Sequence, residues 1–114
     1  AVFTKLILSG STNGIPILVA ATATAGTTIH DSSTVLDEVW LWAWNVSTTT
    51  RLLTLELGGV TDPGQILEVN IPAIGPPPTL VVPGWLMTGS VDIDAFAVSA
   101  ANTIVISGYV NRIT

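Results

Sequence analysis

Short runs of Val, Ile, Leu and Thr alternate with polar positions along this chain and are interrupted every few residues by Gly, Pro, Asn or Ser, a pattern of strands and turns. No segment carries a convincing helical period. The runs predict strands at Val2–Leu8, Ile15–Thr22, Val35–Val46, Arg51–Leu57, Gln65–Ile71, Thr79–Val82, Ser90–Ser99 and Thr103–Ile113, with Ile29–Ser32 returning briefly to extended structure. Asn13-Gly14 is a hairpin-turn signal, and Ser47–Thr50 predicts a polar loop closing a hairpin between the strands on either side of it. Pro83-Gly84 predicts a further turn. Within Arg51–Leu57, Leu53, Leu55 and Leu57 share an apolar face, and Leu52, Thr54 and Glu56 a mostly wet one. Pro72, Pro76, Pro77 and Pro78 lack the amide hydrogens a ladder needs, so Pro72–Pro78 is a connector, or else a stiff arm reaching a neighbour. The expected fold is an all-β, single-domain antiparallel β-sandwich or jelly roll of seven or eight strands over residues 1–114; a closed barrel fits the same pattern.

The segment Asp37-Glu38-Val39-Trp40-Leu41-Trp42-Ala43-Trp44-Asn45 departs from simple alternation. In a strand, Trp40, Trp42 and Trp44 face one way and Val39, Leu41 and Ala43 the other, so both faces are apolar. Three readings follow: the indoles fill the core and the smaller face is covered by a loop or subunit; the indoles lie at a protein interface; or they form a stacking platform for sugars.

Composition sharpens the choice. Only 10% of the residues are Asp, Glu, Lys or Arg, against about 25% in ordinary soluble domains. With 48% hydrophobic residues and a mean hydropathy of +0.65, this predicts a surface partly covered by more protein, either further copies of the chain or a larger assembly. The net charge of −5, with Lys5, Arg51 and Arg112 the only Lys and Arg residues, argues against nucleic acid and against a polybasic membrane patch. No apolar run approaches the ~18 residues of a membrane span. Ala1–Leu6 lack signal-peptide features; an initial Ala fits either loss of an initiator Met or a mature secreted chain.

Catalytic and metal chemistry find little footing. His30-Asp31-Ser32-Ser33 holds the letters of a hydrolytic triad, but neighbours on an extended chain point to opposite faces. With no Cys and one His, a zinc site lacks its usual ligands. Asp92 and Asp94 share a strand face without calcium-loop spacing, which predicts two acids on a wet surface. Asn45-Val46-Ser47 matches a glycosylation sequon of low specificity. The expectation is a non-enzyme without cofactor or metal.

The run Leu36–Asn45, followed by Leu53-Thr54-Leu55-Glu56-Leu57-Gly58-Gly59 and closing with Ile106–Ile113, resembles small structural proteins of tailed bacteriophages, in particular capsid decoration (cement) proteins. The resemblance covers less than half the chain. It implies a β-rich protomer, commonly trimeric, made in the host cytoplasm, that sits on the outer surface of the virion and binds the major capsid protein to stabilise the head. A tail or baseplate protein would use the same physics, and a carbohydrate-binding module or adhesin is the rival from another class. The candidate contact residues are Trp40, Trp42, Trp44, Trp85, Met87 and Tyr109, with Pro76, Pro77 and Pro78.

Overall fold

The computed structural model describes residues 1–114 as nine β-strands and no helix: β1 (Phe3–Leu6), β2 (Ile17–Leu18), β3 (Thr27–Asp31), β4 (Leu36–Asn45), β5 (Arg51–Leu57), β6 (Ile66–Ile71), β7 (Thr79–Met87), β8 (Asp92–Ala97) and β9 (Ile104–Ile113). They form two antiparallel sheets. Sheet A runs β1-β9-β4-β7, with β2 also on β9; sheet B runs β3-β8-β5-β6. Phe3–Leu6 register with Ile113–Val110, and Ile17 and Leu18 with Ile106 and Val105, so β1 and β2 lie end to end beside β9 as one interrupted edge strand. Counted that way there are eight strand paths, in the sheet orders 1-8-3-6 and 2-7-4-5, the double Greek-key arrangement of a jelly roll. The expected all-β sandwich is therefore the fold, with two separate sheets rather than a closed barrel. No helix of the structure is long and apolar enough to cross a membrane.

Three local expectations change. The first concerns Val35–Val46 and Arg51–Leu57, which do not form a hairpin: β4 gives one flank to β7 and the other to β9, while β5 belongs to sheet B. The Asn45 side chain makes the loop a crossover instead, donating to Thr49 O at 2.7 Å and Ile71 O at 3.3 Å and accepting from Ser47 N at 2.8 Å. Those contacts leave the sequon asparagine buried and occupied. Second, Asn13 and Gly14 do adopt the paired positive φ values of 56° and 78° that suit a tight turn, but the flanking segments do not pair with each other. Residues 7–16 instead leave the edge of sheet A and reach sheet B, where Gly10 N donates to Ile29 O at 3.0 Å. Third, Pro83-Gly84 lies inside β7 at a register shift. Proline is tolerated there because β7 is an edge strand, and Gly84 sits at φ 75° where a Cβ would come within 2.7 Å of the Trp40 indole.

The core lies between the sheets. Strand β4 alternates strictly, with Val39, Leu41 and Ala43 fully buried, and they meet Leu53, Leu55, Ile93, Ala95 and Ala97 from sheet B within one apolar cluster. Small residues on both sides suit a layer only about 10 Å thick. This settles which face of the tryptophan strand is internal: the Val-Leu-Ala face is, and the reading in which the indoles fill the core is overturned. Close approach of β9 to β4 has its own steric requirement, since a Cβ on Gly108 would collide with the carbonyl oxygen of Trp40. Leu41→Ala should cost about 2–5 kcal/mol in chemical denaturation of the isolated chain; Trp42→Ala, on the outer face, should cost clearly less although it removes the larger side chain.

Candidate interaction face

The outer face of sheet A is an aromatic surface. Trp40, Trp42 and Trp44 project from it half-buried, and cross-strand pairing sets Tyr109 of β9 opposite Trp40. Ring centroids of Trp40, Trp42 and Tyr109 stand 6.2, 6.4 and 6.2 Å apart with interplanar angles of 15° to 27°, a near-equilateral cluster of almost parallel rings. Such offset contacts are favourable and leave much of each ring uncovered. Lys5 Nζ lies 5.0 Å from the Tyr109 ring centre, a cation–π contact. Glu38 orients the upper end: its Oε1 accepts from Trp40 Nε1 at 2.7 Å and from Asn111 Nδ2 at 3.1 Å. Those two hydrogen bonds hold the Glu38 carboxyl below its usual range.

The other expected contact residues divide. Pro78 joins Trp42, Trp44, Ser107, Gly108 and Tyr109 around an open trough of about 530 Å³, and Pro76 and Pro77 are exposed beside it. Trp85 registers with Val39 and Met87 with Asp37, so neither belongs to the indole row. Trp85 remains 39% exposed at the sheet edge, whereas Met87 packs against the core. Sequence reasoning missed the apolar neighbours on β7 and on the interrupted edge strand. Leu80 and Leu86 stand opposite Trp42 and Glu38, and Leu80, Leu86, Phe3 and Leu18 are 43%, 58%, 69% and 47% exposed. Alternation within one strand cannot reveal such neighbours, because the face they share depends on cross-strand register.

Charge gathers on the opposite side of the sandwich. Asp31, Asp92, Asp94, Glu56 and Glu68 occupy outward positions on the four strands of sheet B, five of the eight acids in the chain. The expected wet face of β5 is nevertheless partly closed. Residues 24–26 fold over it, and Glu56, 1% exposed, accepts from Thr24 Oγ1 at 2.9 Å and Gly26 N at 2.7 Å. Beside it, Oδ1 of Asp94 is buried without a hydrogen-bond partner. Burial, then the Asp92 and Glu56 carboxylates, push the Asp94 carboxyl up. No group of three His, Cys, Asp or Glu side chains is placed to hold a metal ion.

The lone histidine has a structural partner that its sequence neighbours did not reveal. His30 on β3 crosses between the sheets to Asp37 on β4, Nε2 to Oδ2 at 2.9 Å, and Arg112 on β9 grips the same carboxylate with Nε and Nη2 at 2.8 and 2.9 Å. Ser9 N donates to Nδ1 at 3.1 Å, which leaves Nε2 as the ring nitrogen carrying the hydrogen toward Asp37. Asp31 and Ser32, the other letters of the apparent triad, lie outside this contact. With Asp37 fully buried and His30 2% exposed, the cluster ties both sheets and the residue 7–16 loop together and offers no nucleophile. Burial alone would push the Asp37 carboxyl up; hydrogen bonds from Arg112 and His30, with the Arg112 charge, reverse this and hold it below its usual value.

No protein-family model, curated protein or solved structure matches this chain.

Asp37 and Asp94 act on stability with opposite signs. Because the folded-state pKa of Asp37 lies below the ordinary 3.8, its contribution is full above that value and disappears as pH falls through the folded value. Denaturant midpoints measured from pH 7 to pH 2 should therefore fall at the acid end, and Asp37→Asn should flatten that limb. The same change should cost about 3 kcal/mol at pH 7, the low end for breaking a buried pair, because the Arg112 side chain is 29% exposed and recovers some hydration. Asp94 has a raised folded-state pKa, so its carboxyl favours the fold only while protonated, and that benefit is lost as pH rises through the raised value. Asp94→Asn should accordingly raise Tm at pH 7, with the gain shrinking toward pH 3.

Proposed function

We propose that this chain is a non-enzymatic structural protein of a virion, a capsid decoration protein of the tailed-phage type, which self-associates and attaches to a shell of major capsid protein. One observation carries the reading: the exterior is divided, with indoles and exposed leucines on sheet A and the carboxylates of Asp31, Glu68, Asp92 and Asp94 facing out from sheet B. A two-sided exterior of this kind suits a molecule that is glued on one side and washed by solvent on the other. Four strand paths about 4.8 Å apart, with central strands of ten residues at about 3.3 Å each, give the sheet A face roughly 600 Å². That approaches the ~800 Å² per partner of a standard protein interface.

Jelly rolls serve both viral capsid and lectin domains, so the surroundings of the rings must choose between partner classes. A sugar platform needs free hydrogen-bonding groups around its aromatic rings. Here Glu38 Oε1 accepts from both Trp40 and Asn111, and the polar side-chain groups of the trough are the Ser107 and Tyr109 hydroxyls and the Trp42 and Trp44 indole N–H groups. Exposed Leu80, Leu86, Phe3 and Leu18 extend the same face as apolar surface, which favours protein.

Light scattering on the purified chain should give a mass that is a multiple of 11.8 kDa, with the trimer as the expected state, and co-sedimentation should show binding to mature capsids. Leu80→Lys with Leu86→Lys should produce folded protomers that no longer associate, judged by unchanged circular dichroism beside a reduced mass. A monodisperse monomer that ignores capsids would defeat the proposal.

A further inference from the structure

The aromatic trough and the proline segment stand side by side, yet neither fills the other. Pro78 forms one wall of the trough, so this copy's own prolines border the space without occupying it. Pro76 and Pro77 are exposed, Ile74 is 61% exposed, and Gly75 at φ 131° has nothing within 4 Å of where a Cβ would lie. One hydrogen bond, Ile74 N to Ser47 O at 2.9 Å, holds the segment to its own protomer. Its prolines have no N–H to leave unsatisfied when they lose water.

We propose that the trough receives the Ile74–Pro77 segment of a second copy of this chain, an arm whose stiff part is Pro76-Pro77, seated between Trp42, Trp44 and Tyr109. This rests on the reading of sheet A as an interface and names its anchor. Aromatic-lined grooves recognise proline-rich segments because the bound shape is already populated in the free chain, so little entropy is lost on docking. None of the six trough residues and none of the residues from Pro72 to Pro78 is ionic, and the Lys5 ammonium lies against one wall, 5.0 Å from the Tyr109 ring centre, so an arm without charge suits the site. The trough lies within the sheet A face, so the arm covers part of an area that as a whole is close to that of a stable interface. Arm and trough are different surfaces, so the contact is reciprocal in a twofold dimer and head-to-tail in any other arrangement. Such contacts close into rings, and a trimer is one such ring.

The experiment compares masses by light scattering across a concentration series for the full chain, for an arm variant (Pro76→Asp with Pro77→Asp) and for a trough variant (Trp44→Ala). Circular dichroism checks that each is folded, and Ser107→Arg blocks the trough if Trp44→Ala does not fold. Each variant should associate at least about 30-fold more weakly than the parent, the effect of losing one hot spot. Mixed together, they should form a two-chain species, because an intact arm then meets an intact trough. A synthetic peptide of residues 73–79 should shift the indole emission of the arm variant saturably. If the arm variant keeps the parent's mass, or the mixture shows no two-chain species, the arm inference is overturned while the sheet A interface stands. A parent that is monomeric throughout overturns both. Oligosaccharides shifting the emission where the peptide does not would assign the trough to sugar and overturn the inference.

Discussion

The gap between the two sheets is the constraint on which the rest of the molecule depends. Facing sheets stand about 10 Å apart, and a strand apolar on both faces can offer that gap only the face that fits. On β4 this is Val39, Leu41 and Ala43, which meet Ala95, Ala97 and the leucines of β5 in a fully buried layer. Three indoles in the same layer would overfill it, and overpacking strains a core as surely as a void weakens it. The bulkiest residues of the chain are therefore displaced outward, and the aromatic face is a by-product of how the core packs.

Once the indoles are outside, the neighbouring strands show how they are accommodated there. Gly84 leaves room for Trp40 against β7, Gly108 lets β9 approach Trp40, and Glu38 holds the Trp40 indole by its Nε1. These features order the rings without hiding them. Asp31, Glu68, Asp92 and Asp94 face out across the sandwich beside the exposed Leu52 and Val98, so sheet B is the more charged exterior and sheet A the more aromatic one. Inside, the Asp37 cluster is the main polar link between the sheets. Its geometry explains why a protein with few ionic groups keeps two of them, Asp37 and Arg112, paired at the inner face.

Much of this was legible along the chain, and the parts that were not share a cause. Alternation locates β4, β5, β6, β8 and β9 to within a few residues, and the missing amide hydrogens of Pro72–Pro78 keep that run between β6 and β7. The Ser47–Thr50 loop misled because a polar loop between two strands looks the same whether it folds the chain back or carries it to the other sheet. Alternation gives Thr54 and Glu56 a wet face because their cover, residues 24–26, comes from thirty residues earlier in the chain. Alternation rules out Asp31 and Ser32 as partners of His30 but cannot name Asp37, which lies on the other sheet and is held in turn by Arg112 seventy-five positions further on.

The amino-acid order alone determined a helix-free, single-layered-core protein with too little charge to wet its whole exterior, since composition and a period of two depend on nothing distant. Which side of the tryptophan strand faces inward, which leucines join the indoles, and where the acids collect were decided only by tertiary structure. Each of these depends on register between strands far apart in sequence, and register is set when two sheets close on a layer of limited thickness.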